Sequence, residues 1–555
     1  MNFEFRHLPV CQRTANRATA TIAAAMFMAA SLTACVNLTG NVGTRNDAAR
    51  LDAREIVVAR TPSTLPTDWQ HGAFMEIFVR GWRDSDGDGI GDLRGLTQSL
   101  DYLRDLGIKG IWLMPITRSA DRDHGYAVTD FRDVEPAYGT LADFDELLRE
   151  AHARGIGVIM DYVINHSAAS HPLFVDAMTS PASPYREWYV WKDPAPTGWD
   201  VWGKNPWYAS TGGTFYATFG PHMPDFNLEH PPTLEYHRNN LRFWLNRGID
   251  GFRFDAVPHL VETSAKDWND QPGSYALMAH VQSLMRGYQN RYLVCEATAS
   301  PTRWAAPYIC GSAFAFGTER QFIDAANGKP EAIRAVADYF KTAPLSMATM
   351  VSNHDIFAGE RLWDQAKGDT AMYRLAAGTY LLLPGTPFIY YGEEIGMAGV
   401  PTLSGDAQLR APMSWTADSA SGGGFTTGKP FRPASPNAVT HNVAAARRDA
   451  NSLLNFYKTM LKLRNTRPSI ARGSYDSPIV DGSVMSYQRI LGSEHTLLAI
   501  NYGKTDSVIE VSGLPAHGKM NLLYPATATQ FVADSNGRAR VATPAQSILV
   551  FNVEH

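Results

Sequence analysis

Acidic and basic side chains follow four apolar runs of this chain, and their types are the ones best suited to chemistry. The four segments are DYVINH (161–166), GFRFDAV (251–257), YLVCEAT (292–298) and MVSNHD (350–355). In a barrel of parallel strands, side chains just past the carboxyl ends of the strands converge on one site. Separate carboxylates that meet in one pocket suit the chemistry of a glycosidic bond.

Asp255 and Glu296 are the candidates for the two reacting acids, because retaining hydrolysis needs two carboxyl groups about 5–5.5 Å apart. Arg253 lies two residues before Asp255, so on a strand it points the same way and would keep that carboxylate ionised. Glu296 follows the apolar YLVC, and we expect apolar surroundings that favour its protonated form, as a general acid requires. Asp355, beside His354, is suited to gripping two sugar hydroxyls. Each acid alone is equally well explained as a structural cap, but the three together favour catalysis.

The elements that must position these residues alternate between strand and helix. Apolar runs over 73–79, 110–116 and 157–164 predict strands, and residues 96–107 and 143–155 between them have helical spacing. This order predicts a parallel sheet flanked by helices.

The spacing of the acids indicates eight strands and one insertion. Asp161 and Asp255 are 94 residues apart, whereas one strand–helix–strand unit takes about 30. We therefore predict an inserted B domain over 166–231, after strand three. The distance from Asp255 to Glu296 fits one unit, and that from Glu296 to Asp355 fits two. With strand eight over 386–394, the count favours an α/β fold of the TIM (β/α)8 barrel type, with its two parts at 68–165 and 232–465.

The two ends of the chain differ from the barrel. After a predicted helix over 451–465, short alternating strands predict an antiparallel β-sandwich over 466–555. Residues 1–34 have the arginines and the apolar run of a signal peptide. They end in LTAC, which resembles a bacterial lipobox, so we expect a lipidated Cys35 and a tether over 35–67, although a plain secretory signal is the alternative. These features predict an exported protein that is anchored by its lipid in the bacterial envelope, at the periplasm or outer membrane. Secretion is the alternative. We expect no membrane attachment other than the lipid on Cys35.

The net charge and the cysteine content add two further constraints on the function. The net charge is −5 and the isoelectric point about 6.4. The chain therefore lacks the excess of basic residues that would indicate a nucleic-acid partner. Cys295 and Cys310 are the remaining cysteines of the predicted mature chain. Export permits a disulfide between them, but a buried free thiol at Cys295 is at least as consistent with the sequence.

The four segments resemble the conserved regions of the α-amylase family, the family 13 glycoside hydrolases. MPDFN (223–227) resembles a fifth region, in the form found in enzymes intermediate between oligo-1,6-glucosidases and neopullulanases. The resemblance covers essentially the whole mature length. It implies Asp255 as nucleophile, Glu296 as acid/base and Asp355 as transition-state stabiliser. It further implies that the substrate is contacted by Tyr126, His166, Arg253, His259 and His354, and that Asp161 and Asn165 support the architecture of the site.

Three positions depart from the family pattern. Ala127 follows Gly125-Tyr126 where many relatives have Asp, which argues against strict exo-glucosidase action. Pro258 stands where many α-amylases have Lys, so that one sugar contact is lost. Ala256 follows the expected nucleophile where relatives that favour α-1,6 bonds tend to carry Val, which favours α-1,4 cleavage.

DSDGDGIGD (84–92) predicts a structural Ca²⁺ site, because acidic residues at alternating positions around glycine turns suit a hard cation. It is not an EF-hand, since position 12 of the loop is Gly95. It resembles a calcium loop of the family, with Asp84, Asp86, Asp88, the Ile90 carbonyl and Asp92 as ligands. The alternative is an acidic turn without a metal.

The aromatic residues of the insert have two explanations. Trp188–Trp191, Trp199, Trp202, Trp207 and Tyr208 are suited to lining sugar subsites, but a small hydrophobic core explains most of them better. Arg410 and the GFTTGKPF segment (424–431) are expected in a loop that borders the site.

The sequence thus predicts a retaining α-glucan hydrolase that cleaves α-1,4 bonds in maltooligosaccharides or starch. The alternatives are an α-glucosyl transferase or trehalose-forming isomerase on the same fold, or an α-glucosidase or cyclomaltodextrinase. Because all three acids are present, a non-catalytic glucan-binding protein is the weakest hypothesis.

Overall fold

The strands of the described residues, numbered in chain order, fall into a first group up to residue 390 and a second group after it. The computed structural model describes residues 56–59, 62–121, 123–526 and 529–554. The first group is β1 (Phe74–Ile77), β2 (Gly110–Leu113), β3 (Thr117–Ser119), β4 (Val128–Val134), β5 (Gly157–Tyr162), β6 (Trp207–Ser210), β7 (Gly213–Tyr216), β8 (Gly251–Phe254), β9 (Tyr292–Cys295), β10 (Ala348–Thr349) and β11 (Thr386–Tyr390). The second group is β12 (Asp476–Asp481), β13 (Val484–Leu491), β14 (Glu494–Asn501), β15 (Ser507–Val511), β16 (Lys519–Tyr524), β17 (Gln530–Val532), β18 (Ala539–Thr543) and β19 (Ser547–Glu554).

Seven strands of the first group form a parallel barrel, and β3–β4 and β6–β7 form two separate antiparallel pairs. The strand order of the barrel is β10-β11-β1-β2-β5-β8-β9, and isolated parallel bridges at Ala313 and Phe314 connect β9 to β10. The predicted (β/α)8 barrel is confirmed, with its sixth strand reduced to these bridging residues. Gly110 and Gly157 begin β2 and β5, where an added Cβ would lie 2.3 Å from the rings of Phe74 and Trp69 respectively. Glycine at these positions lets aromatic side chains fill the lower end of the barrel.

The helices lie mainly between successive barrel strands. They are Val79–Trp82, Leu93–Gln98, Leu100–Leu106, Leu141–Ala153, Pro172–Thr179, Pro231–Arg247, Pro272–Met285, Pro301–Trp304, Thr318–Ala326, Pro330–Thr342, Leu362–Gln365, Thr370–Leu382, Val443–Ala446, Leu453–Thr466 and Pro468–Arg472. Among the described residues, no helix is both long enough and apolar enough to cross a membrane.

The insertion after β5 contains the helix Pro172–Thr179 and the antiparallel hairpin β6–β7. Its centre is aromatic, because Phe174 contacts the rings of Tyr189, Trp191 and Phe215. Most of the insert's aromatic residues therefore form a small core, as expected.

The second group of strands forms the predicted antiparallel sandwich. One sheet has the order β12-β13-β14-β19-β16-β17, and β15 pairs with β18. Alternating apolar side chains of both sheets, among them Leu497, Ile509, Val541 and Phe551, form one buried cluster.

Cys295 and Cys310 form a disulfide with their Cα atoms 6.1 Å apart. The alternative of a free thiol at Cys295 is therefore wrong. The bond ties the end of β9, directly before Glu296, to the segment that leads into the bridging residues Ala313 and Phe314.

The predicted signal peptide (1–34), Cys35 and the tether up to residue 55 lie outside the described residues. Part of the remaining predicted tether contacts the barrel. The backbone N–H groups of Ile56 and Ala59 donate to the side chains of Asn239 and Asn246, both at 2.9 Å, and Leu65 is buried in the lower barrel core.

Candidate active site

Arg253 lies at the centre of the site and is fully buried on β8. Its Nη1 donates to Asp255 Oδ1 at 2.6 Å and to the two carboxylate oxygens of Asp161 at 2.8 and 2.9 Å. Its Nη2 lies 2.8 Å from Glu296 Oε2. One guanidinium thus brings together acids from three neighbouring strand ends, and it makes Asp255 and Glu296 neighbours, as the sequence predicts.

Three carboxylates share this one positive charge, so full ionisation would leave buried negative charge uncompensated. Burial raises the pKa of Asp161 to about 6, and it raises the pKa of Asp255 well above its usual range, while Arg253 opposes both shifts. The cluster therefore holds protons at pH values where isolated carboxyl groups are ionised. The raised pKa of Asp255 runs against the expectation that Arg253 keeps this carboxylate ionised, because burial outweighs the charge of the guanidinium.

Glu296 lies in polar surroundings. Besides the contact with Arg253, its Oε2 accepts a hydrogen bond from Ala256 N at 2.9 Å. The expectation of apolar surroundings is wrong, because the neighbouring strand end supplies a guanidinium and a backbone N–H. Ala256 has a left-handed backbone with φ 50°, a conformation that a β-branched side chain would strain.

His354 is held between two side chains that the barrel supplies. Its Nδ1 lies 2.5 Å from Glu76 Oε1, and its Nε2 lies 2.7 Å from the hydroxyl of Tyr126. Burial lowers the pKa of His354 well below its usual range and raises the pKa of Glu76 well above its own. The pair is therefore neutral, which fixes the orientation of the imidazole without a buried ion pair.

Asp355 contacts His354 Nε2 at 3.1 Å and Arg410 Nη2 at 3.1 Å. Burial raises the pKa of Asp355 to about 7, with the Arg410 charge as the first opposing cause. Arg410 also donates from Nε to the backbone oxygen of His354 at 3.0 Å. The loop that carries Arg410 therefore borders the site, as predicted.

A cavity of about 560 Å³ opens beside these carboxylates, a size that suits a small ligand. The predicted catalytic and sugar-binding residues that line it are Asp255, Glu296, Asp355, Tyr126, His166 and His259. Arg253, His354 and Asp161 lie behind this layer and hold it in place.

His166 and His259 offer unpartnered ring nitrogens. His166 Nε2 and His259 Nδ1 are buried without a hydrogen-bond partner among the described residues. Burial lowers the pKa of His166 to about 3 and that of His259 to about 4, so both rings are neutral at ordinary pH. Asn165 does not line the cavity; its backbone oxygen accepts from Phe226 N at 2.9 Å and joins β5 to the insert.

The predicted calcium loop groups three of its acids. Side-chain oxygens of Asp84, Asp86 and Asp88 lie within 4.8 Å of one another. Asp92 Oδ1 accepts from Gly95 N at 2.7 Å and caps the helix Leu93–Gln98, and Ile90 follows Asp88 in the same loop. The three carboxylates also accept hydrogen bonds from backbone N–H groups of the loop, and oxygen donors of this kind are the ones that Ca²⁺ prefers.

Sequence reasoning missed two kinds of contact. Glu76 is a single charge inside the apolar strand β1, and that signal marks a buried acid with a partner. Trp202, Phe219 and Phe357 also line the cavity; Trp202 was one of several candidates, but no local pattern distinguishes it from the aromatic core of the insert.

The barrel, the insert and the cluster of acids at the strand ends define an enzyme of the glycoside hydrolase class. Residues 76–473 match the model of the α-amylase catalytic domain. The chain is 33% identical over 451 residues to alpha-amylase 3 of Dictyoglomus thermophilum, covering 79% of this chain and 86% of that protein. It is 32% identical over 519 residues to the trehalose synthase/amylase TreS of Mycobacterium tuberculosis, covering 81% and 84%.

A solved structure agrees with these sequence matches. The crystal structure of the alpha-amylase from H. orenii has a TM-score of 0.76 and 32% identity to this chain, and it covers 87% of this chain and 100% of its own. The chain therefore belongs to the α-amylase family of glycoside hydrolases.

Proposed function

We propose that the chain hydrolyses α-1,4-glucosidic bonds in maltooligosaccharides or starch fragments with retention of configuration. The observation that supports this is the Arg253 guanidinium, which contacts both Asp255 and Glu296 at the wall of one cavity. Two carboxyl groups held as neighbours match the arrangement that retaining enzymes need.

The proposed reaction has two steps. The Asp255 carboxylate attacks the anomeric carbon, and the proton of Glu296 passes to the oxygen of the leaving sugar as the glycosidic bond breaks. Water then gives a proton to Glu296 and attacks the anomeric carbon, and the bond to Asp255 breaks. Ala256 N–H and Arg253, both in contact with Glu296, stabilise it while it is ionised between the two steps.

The neutral histidines and Tyr126 supply the proposed sugar contacts. His166 Nε2 has no partner among the described residues and lies in the cavity wall, so a sugar hydroxyl would satisfy it. The ring of Tyr126 stacks on His354, with centroids 5.7 Å apart, and this held ring is the proposed platform under the sugar next to Asp255. The small side chain of Ala256 favours α-1,4 linkages, as argued from the sequence.

Substitution of the two acids tests this assignment. We expect Asp255→Asn to abolish turnover of maltoheptaose and Glu296→Gln to lower kcat by about 10²–10⁴-fold, both with unchanged thermal stability or higher. An exposed surface aspartate changed in the same way, Asp338→Asn, should keep full activity. For the wild type, NMR of the first products should show the α-anomer; an initial β-anomer, or an active Asp255→Asn variant, would contradict the proposal.

Transfer of a glucosyl unit to a second sugar is the other candidate. It is favoured by the similarity to a protein named trehalose synthase/amylase and by the aromatic side chains in the cavity wall. Product analysis on maltotriose separates the two: longer oligosaccharides or trehalose indicate transfer, and only shorter sugars indicate hydrolysis.

We further propose a structural Ca²⁺ at Asp84, Asp86 and Asp88, with the Ile90 carbonyl and Asp92 completing the set. When bound, the ion would neutralise the acids of the loop. The loop lies beside the segment that carries Thr426, whose hydroxyl donates to Asp84 Oδ2. The ion would therefore stabilise the contact between two loops and take no part in the chemistry.

Export and lipid anchoring in the bacterial envelope are proposed from the sequence alone. Membrane fractionation of cells that produce the wild type or Cys35→Ala tests both. The wild type should sediment with membranes, and the variant should not.

A further inference from the structure

Trp202 occupies a position that an aromatic residue rarely takes. Residues 201–204 form a tight turn in which Val201 and Lys204 exchange backbone hydrogen bonds of 2.8 and 3.1 Å. Trp202 and Gly203 form its tip with φ values of 49° and 80°, and Asp200 Oδ1 accepts from Gly203 N at 2.6 Å. Such turns favour Asn, Asp or Gly at the tip, so a tryptophan there carries a conformational cost. Strain of this kind persists mainly where function uses it.

Trp202 is also exposed, with 58% of the residue's surface accessible. It nevertheless lines the cavity that holds the catalytic acids. Of the large aromatic side chains that are exposed in the described residues, Trp202 and Phe357 line this cavity, whereas Tyr308 does not. Exposed apolar surface concentrated at one cavity indicates a binding surface.

Three other rings hold Trp202 in place. Its centroid lies 5.1 Å from that of His259, 5.4 Å from that of Trp268 and 5.6 Å from that of Phe219. His259 and Trp268 are stacked on each other at 5.5 Å. The insert supplies Trp202 and Phe219, and the segment after β8 supplies His259 and Trp268. Residues from two separate parts of the chain therefore hold the Trp202 ring in position.

The position of the Trp202 ring relative to Asp255 and Glu296 indicates on which side of the scissile bond it would contact a sugar. His259 N donates to the backbone oxygen of Ala256 at 2.9 Å, and Ala256 N donates to Glu296 Oε2 at 2.9 Å, so His259 lies one turn of the chain from Glu296. Under the proposed function, Glu296 protonates the leaving oxygen, so groups beside it face the leaving sugar. His166, which contacts Phe219 at 5.2 Å between centroids, continues the same wall toward the sugar that Asp255 attacks.

We propose that Trp202 is the stacking platform for the sugar on the leaving-group side and that it determines how tightly the site holds a second glucose unit. A pyranose ring offers an apolar face of C–H groups, which packs well on a flat indole. His259 Nδ1, unpartnered and buried beside the indole, is placed to bond a hydroxyl at the edge of that ring. This inference rests on the proposed function and adds a residue that sets specificity.

Trp202→Asn tests the proposal, because asparagine accepts the left-handed backbone of the turn but lacks the ring. The substrates are maltotriose, which puts a sugar on the leaving side, and α-glucosyl fluoride, which puts a single atom there. We expect kcat/KM for maltotriose to fall at least about tenfold and kcat/KM for α-glucosyl fluoride to change less than about twofold. Trp202→Phe should restore most of the maltotriose activity, and Tyr308→Ala should change neither value.

Each other outcome overturns the inference in a distinct way. An unchanged maltotriose value for Trp202→Asn, or an equal loss on both substrates with an unchanged Tm, would exclude a leaving-side platform. Wild-type protein that hydrolyses neither substrate would instead overturn the proposed function, and this inference with it.

Discussion

Asp355 links the chemistry of the site to the stability of the fold. Burial raises its pKa to about 7 in the native protein, whereas an aspartate in an unfolded chain titrates near about 3.9. Between these values the native state binds a proton that the unfolded state has released. The contribution of Asp355 to the free energy of unfolding therefore falls as the pH rises from about 4 to about 7.

Asp355→Asn should remove this penalty. We expect the variant to be inactive yet more stable than the wild type at pH 8, by about 1–3 kcal/mol, with little difference between the two proteins near pH 4. Urea unfolding at several pH values measures this. Asp338→Asn, an exchange of an exposed carboxylate that pairs with Lys341, should leave the pH dependence unchanged. Parallel pH profiles for Asp355→Asn and wild type would contradict the argument.

At the residue scale, the sequence predicts contacts that arise from strand alternation and misses those that depend on neighbouring strands. The contact between Arg253 and Asp255 results from a spacing of two on a strand, because such residues share a face. The polar surroundings of Glu296 come from Arg253 and from the N–H of Ala256, which lies 40 residues earlier in the chain, at the end of the neighbouring strand. Only the folded barrel places them together.

At the element scale, sequence patterns predict which segments are helical better than they predict the residues at which each helix begins and ends. The helix expected over 143–155 is Leu141–Ala153, because Thr140 and Asp143 form a capping box that starts it earlier. The helix expected over 96–107 breaks at Ser99 into two. The spacing of the acidic residues along the chain predicts eight strands. The sixth strand has too little regular pairing for a local sequence pattern to reveal it.

The loop over 84–92 should respond to calcium as one unit. If the proposed Ca²⁺ site is correct, a chelator should lower Tm by several degrees and added Ca²⁺ should restore it, because a ligand at 100 times its Kd stabilises the native state by about 2.7 kcal/mol. Asp86 and Asp88 are exposed, and their side chains cap only backbone N–H groups of the same loop. The double variant Asp86→Asn/Asp88→Asn should therefore fold and lose the response. A wild-type Tm that is the same with chelator and with Ca²⁺ would contradict the metal.

At the scale of the whole molecule, the sandwich is joined to the barrel by polar contacts. The hydroxyls of Tyr502 and Thr379 lie 2.8 Å apart, and Tyr475 donates to the backbone oxygen of Ala337 at 2.9 Å. The described residues belong to one compact unit, which predicts that barrel and sandwich unfold together.

Tyr502→Phe tests this coupling, because it removes one buried hydroxyl of the sandwich and leaves Thr379 of the barrel without that partner. We expect it to lower the free energy of unfolding by about 1–3 kcal/mol while calorimetry still shows a single transition. Loss of activity should coincide with that transition, although the substitution lies in the sandwich. Tyr308→Phe, an exposed tyrosine, serves as the matched control. Two separate transitions would show that the domains unfold independently.

The disulfide between Cys295 and Cys310 has a practical consequence for anyone who prepares this enzyme. Cys295 lies directly before Glu296. The redox state of the compartment in which the protein is made therefore decides whether the chain beside Glu296 is held by a covalent cross-link. A reducing cytoplasm would yield the open dithiol, whereas secretion into an oxidising compartment permits the bond. Batches made by the two routes should be compared before any rate constant is assigned to the protein.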